Sequence, residues 1–79
     1  MQIGCGVYEH PVRGRPYLYF WHYETRSGRR VQVNEYMGPA ALAHSRERAL
    51  HRCEAYLSQV AQELERVRTA ALAALRTRW

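Results

Sequence analysis

Apolar and polar positions follow two rhythms in this chain. Up to Gly38 they alternate every second residue, and beyond Pro39 they recur every three or four. The first rhythm predicts strands. Residues 2–9 set Ile3, Cys5 and Val7 against Gln2, Gly4, Gly6 and Tyr8. His10 to Pro16 reads as a loop, because Pro11 and Pro16 cannot donate to a sheet ladder. Residues 17–25 form a second strand and residues 30–36 a third. About forty residues without Gly follow Pro39 and predict a helix. Pro39 suits a first helical position, and Ser45 is a second candidate cap. The fold expected is α+β: a three-stranded antiparallel sheet, then one long C-terminal helix. Residues 1–79 make one small domain, with a sheet part (1–38) and a helical part (39–79).

The turn after the second strand decides which side chains share a face. A two-residue turn at Ser27-Gly28 places Ser27 at positive φ, which costs energy. A three-residue loop, Arg26-Ser27-Gly28, asks this of Gly28 alone and is the form expected. It pairs Thr25 with Arg29 and Glu24 with Arg30. One face then shows Tyr17, Tyr19, Trp21, Tyr23, Val31 and Val33. The other shows Leu18, Phe20, His22, Glu24, Arg30, Gln32, Asn34 and Tyr36. A slip of one residue would move the whole third strand to the opposite faces.

In the helical part Leu50, Cys53, Leu57, Val60, Leu64, Val67, Ala71 and Ala74 make a heptad seam. One helix over residues 46–78 would run about 50 Å, whereas a nine-residue strand covers about 30 Å. Either the helix breaks near Arg68-Thr69, or its far end packs on another chain. The second is expected: a homodimer, or docking on a partner, through Leu57, Val60, Leu64, Val67 and Ala71.

Composition narrows the chemistry. A chain of 79 residues buries only roughly 60% of its unfolded surface, so a lone core is marginal. The formal charge is +5, and all twelve basic residues are Arg. Arginine's planar fork pairs phosphate in two places and stacks on bases. Asp is absent and the seven Glu are scattered, which argues against two-metal nuclease chemistry. Four His and two Cys lack any ligand spacing known for zinc, so neither metal nor cofactor is expected. Neither thiol has an activating context, and the chain does not read as an enzyme. No charged-then-apolar leader opens it and no apolar run reaches the roughly 18 residues of a membrane span, which points to a cytoplasmic protein with reduced thiols.

What remains suits a nucleic acid. Arg13 and Arg15 in the first loop, with Arg26, Arg29 and Arg30 at the hairpin, form a candidate basic rim for phosphates. Arg30, Gln32, Asn34 and His22 form a candidate base-reading row, since Arg can fork onto guanine and Asn or Gln onto adenine. The aromatic strand has two readings: a core face against the helix, which is the one expected, or a stacking platform for bases. The helix arginines, interleaved with Glu, read as a solvated face with local pairs.

The cadence from Gly14 to Pro39 carries a resemblance. Tyr17-x-Tyr19, the Gly28-Arg29 turn and the closing Tyr36-Met37-Gly38-Pro39 resemble aromatic-strand, basic-turn, Tyr-x-Gly segments near the start of some prokaryotic transposases, integrase-like proteins and viral or mobile-element proteins. The resemblance implies DNA recognition or assembly and, without a nuclease core, no DNA breakage. It carries over to Arg26, Arg29 and Arg30. The function expected is binding of nucleic acid, DNA rather than RNA and double-stranded. The alternative is a protein-interaction module whose helix seam and aromatic face dock a larger partner.

Overall fold

The computed structural model describes residues 4–78. It shows three antiparallel strands, β1 (Cys5–Val12), β2 (Arg15–Arg26) and β3 (Arg29–Pro39), followed by one helix, α1 (Ala43–Arg78). The strands pair in sequence order, with β2 in the centre. Gln2 and Ile3 of the expected first strand lie outside the described residues. The strand itself runs on through His10 and Pro11, where a loop was expected. β1 is an edge strand, so the donor that Pro11 lacks is not needed by a further neighbour.

Both hairpins close with two residues. Arg13 and Gly14 have φ of 53° and 78°, and Ser27 and Gly28 have 50° and 77°. The three-residue loop expected at the second hairpin does not form: Arg26 pairs with Arg29, Thr25 with Arg30 and Glu24 with Val31. Two successive positive-φ residues give a turn whose twist matches that of the strands. Ser27 pays a local cost of about 1–2 kcal/mol for its φ. The register it permits repays that cost: Val31 and Val33 now share the side of Leu18, Phe20 and His22, so one face gathers the apolar set.

That face is the one α1 covers. Leu18, Phe20, Met37 and Ala49 are buried, and Cys5, Ala40, Cys53 and Tyr56 pack around them. The aromatic row of Tyr17, Tyr19, Trp21 and Tyr23, expected beneath the helix, lies on the other side. A bulge between Leu18 and Tyr19 opposes Leu18 to Gly38 and Tyr19 to Tyr36, and the extra residue, Met37, enters the core at 3% exposure. Pro39 ends β3 instead of opening the helix. Ser45 is not a cap; it sits in the first turn of α1, fully buried over Gly38, where any side chain would collide with it.

Three helix arginines tether α1 to the sheet and the loop before it. Arg46 and Arg48 donate to the carbonyls of Ala40 and Met37, each at 3.2 Å. Arg52 grips Glu35 with two bonds of 3.2 and 2.8 Å, and His22 Nε2 lies 3.1 Å from the same carboxylate. The helix then rises from the sheet. A cleft of about 500 Å³ opens between it and the β2–β3 tip, lined by Glu24, Gln59, Val60 and Glu63. From Leu64 onward no described helix residue is buried. α1 is unbroken at Arg68-Thr69, and at about 1.5 Å per residue its 36 residues run roughly 54 Å.

The Arg52–Glu35–His22 group gives the fold an acid dependence. The Arg52 guanidinium, and to a lesser degree His22, hold the Glu35 carboxyl below its ordinary value of 4.5, against an opposing push from burial. The unfolded chain therefore takes the proton more readily. The contribution of Glu35 is complete above about pH 4.5 and drains as pH falls through the folded value. In urea titrations at descending pH, the parent chain should lose stability across this window. Glu35→Gln should start lower and respond less; parallel curves for the two would contradict this account.

Candidate nucleic-acid interface

The side of the sheet away from α1 is uncovered. It carries Tyr8 and His10 from β1, Arg15, Tyr17, Tyr19, Trp21, Tyr23 and Thr25 from β2, and Arg30, Gln32, Asn34 and Tyr36 from β3. The strands position these residues by alternation alone: each is the outward neighbour of a residue that points to the helix. The rings form two groups on this face. Tyr8 stacks on Tyr19 at 5.3 Å and 10°, Tyr19 meets Tyr36 edge-on at 5.5 Å, and Tyr17 lies 6.1 Å from Tyr36. Trp21 and Tyr23 meet edge-on at 5.5 Å and lie across β1. Gly4 and Gly6 make room for them. A Cβ on Gly6 would come within 2.8 Å of the Trp21 indole nitrogen, and one on Gly4 within 2.8 Å of the Tyr23 ring.

Along β3 the polar side chains stand beside these rings. The Arg30 guanidinium sits over the Tyr23 ring, 4.3 Å from its centre, which fixes its plane while leaving its charge exposed. Gln32 Nε2 donates to Asn34 Oδ1 at 3.3 Å. Arg30, Gln32 and Asn34 thus share one strip, as the sequence suggested. The strip now adjoins the aromatic row, because the register differs from the expected one.

Other members of the expected site separate. His22 lies on the opposite side, buried beneath α1 at 5% exposure, stacked 5.2 Å from Phe20 and held near Glu35. It cannot reach a ligand on the open face. Phe20, expected beside Tyr36, is fully buried. Arg13 and Arg15 do not join Arg26, Arg29 and Arg30 in one rim. They flank the β1–β2 turn, at the far end of β2 from the β2–β3 turn. At about 3.3 Å per residue, the twelve residues of β2 separate the two ends by roughly 35–40 Å. Arg26 is tied to Glu24 at 3.0 and 2.8 Å, and the pleat puts Arg26 and Arg29 on the helix-ward side of the tip.

Charge is distributed unevenly between the two sides. The strands contain three carboxylates, Glu9, Glu24 and Glu35, and pairing places all of them on the helix-ward side with Leu18, Phe20 and His22. Among the described residues the open face has no carboxylate. Among the described residues, Arg13, Arg15 and Arg30 on or beside that face, and Arg29 at the tip, have no ion pair within 4.0 Å. No known family, curated protein or solved structure matches this chain. What the site can do therefore rests on its own geometry: π faces, guanidinium groups and amides on one exposed surface. Among the described residues no group of three His, Cys or acidic side chains could hold a metal ion, and no helix is long and apolar enough to cross a membrane.

The aromatic residues Tyr17, Tyr19, Trp21 and Tyr23 are the surface residues that the expected register assigned to the core. Two signals pointed the other way. Leu18 and Phe20, wholly apolar, occupy the alternate positions, whereas three of these four rings carry hydroxyls that favour contact with water. Gly4 and Gly6 also share a phase in β1, as seats for large rings would.

The helix seam divides as well. Val60 turns toward the hairpin and lines the cleft. Leu57, Leu64 and Val67 are about half exposed, and Ala71 is exposed beyond them.

Proposed function

We propose that this protein binds nucleic acid, double-stranded DNA in preference to RNA, through the open face of its sheet. The observation that carries the reading is the segregation of charge: every strand carboxylate lies on the helix side, and the open side combines Arg15 and Arg30 with six aromatic rings and two amides. Two inter-strand spacings make the face roughly 10 Å wide, close to the width of about 12 Å of a major groove. Arg30, Gln32 and Asn34, spaced two residues apart on β3, would meet base edges. Arg13 and Arg15 at one end would hold phosphates. The rings would pack on sugars and thymine methyl groups.

In this reading two copies act together. Leu57, Leu64, Val67 and Ala71 leave an apolar seam on a helix that outruns its own sheet. A second copy supplies a seam of the same period, and the four-residue buried core of one chain is small enough to profit from it.

A mobility-shift titration over salt tests the binding, with duplex, single-stranded DNA and RNA probes, and chain mass in solution is measured alongside. Two phosphate contacts, from Arg13 and Arg15, predict that log affinity falls with log salt at a slope of about −1.8 on duplex. Affinity flat in salt would overturn the proposal. Tighter binding to single strands would move the ligand from the groove to a stacking platform, where the rings carry the energy. A strictly monomeric mass would remove the second copy alone.

A further inference from the structure

The chain's two cysteines meet across the seam between β1 and α1. Cys5 opens β1 and pairs with His22, so it points to the helix side. Cys53 lies on α1 between Ala49 and Tyr56. Both pack against the cluster of Leu18, Phe20, Met37 and Ala49, and both are free and half-buried. The neighbouring contact fixes their approach: the Gly4 amide donates to the Tyr56 hydroxyl at 3.3 Å, one residue before Cys5 and one helical turn after Cys53. Both thiols therefore face the same seam, Cys5 from the strand and Cys53 from the helix.

We propose that Cys5 and Cys53 are a redox site, closing to an intramolecular disulfide by exchange with an oxidised low-molecular-weight disulfide of the glutathione type. Cys5, on the edge strand, takes the first step, and Cys53, whose thiol burial and the neighbouring Cys5 push above its ordinary value, takes the second. Its thiolate attacks one sulfur of the small disulfide, forms a mixed disulfide and releases one thiol. Cys53 then gives up its proton and attacks the Cys5 sulfur, displacing the second thiol. The protein loses two electrons and two protons, and the small disulfide gains both. Reduction reverses both steps.

The bond would fasten an edge that is weakly held. β1 lies at the border of the sheet, and its Gly4 and Gly6 are the seats of Tyr23 and Trp21. It would tie together residues nearly two-thirds of the chain apart, which removes much of the freedom of the unfolded chain. In a reducing compartment the pair stays open, and a shift in thiol poise closes it.

The test uses the full chain, equilibrated with reduced and oxidised glutathione in varied ratio. Expected are loss of both titratable thiols, a mass lower by two hydrogens with no adduct, a cross-linked peptide joining Cys5 to Cys53, and a rise in melting temperature of roughly 10–20 °C that reductant abolishes. Cys5→Ser and Cys53→Ser, each otherwise folded by circular dichroism, should instead hold a stable glutathione adduct and show no such rise. Adducts persisting on both cysteines of the parent chain, bridges only between chains, or a bridge that leaves the melting temperature unmoved would overturn the proposal. None of these readouts depends on nucleic acid.

Discussion

Phe20→Ala should abolish cooperative folding, while Trp21→Ala, one residue further on, should leave the fold intact. Among the described residues Phe20 is the one large side chain with no exposure at all. Its ring stacks on His22 at 5.2 Å, meets the Tyr56 ring edge-on at 6.5 Å, and lies 5.5 Å below the Arg52 guanidinium. Truncating a buried Phe costs about 3–5 kcal/mol, from lost transfer energy and the cavity left behind. A domain of this size has a total stability of roughly 4–12 kcal/mol. The variant therefore stands at or beyond the edge of folding. Trp21 lies on the open face above Gly6 and supports no core, so its removal should cost roughly 1 kcal/mol or less. Urea denaturation followed by circular dichroism reads both. The pair is a direct test of which face the helix covers: with the aromatic row buried instead, the two costs would be reversed. Equal costs would contradict the structure.

On the ligand side, the largest loss of affinity should come from removing Arg15 and Arg30 together. Neither has an ion pair, both point to the open face, and most of β2 separates them. Arg30 is pre-oriented on the Tyr23 ring next to Gln32 and Asn34. Arg30→Ala should cost about 1–3 kcal/mol and relax sequence preference at one position, as loss of a forked base contact does. Arg15→Ala should weaken all sequences alike and reduce the salt slope by about one unit. Sites this far apart add, so the double variant should lose the sum, with an unchanged urea midpoint. Arg66→Ala, on the helix beyond the sheet and paired there with Glu63, serves as the control and should bind as the parent does. Binding that survives the double variant would remove the open face from the proposal, whatever the rest of the surface does.

The element order was legible because it depends on local signals. The aromatic run from Tyr17 to Tyr23, glycines at both turns, and a Gly-free, Pro-free stretch after Pro39 each act over a few residues. Boundaries were less legible. Pro39 suits either a strand end or a helix start, and the bulge at Met37 drew it into β3. The candidate site was legible in part. Arg30, Gln32 and Asn34 share a face in either register, since residues two apart always do. Whether Tyr19 and Trp21, or Leu18 and Phe20, would lie beneath the helix could not be read from the strand, because both rows are apolar enough to make a core.

By itself, the sequence determined three strands and then a helix, an arginine-only positive charge, and a helix too long for its sheet. Tertiary structure alone decided the two-residue turn at Ser27-Gly28, and with it the side on which every residue of β3 lies. It also decided the burial of His22, the separation of Arg13 and Arg15 from the hairpin tip, and the meeting of Cys5 with Cys53. The physical reason is the two-fold period of a strand. Local preference settles whether a residue is extended, but its face is set by a register that the whole sheet and the helix above it must satisfy together.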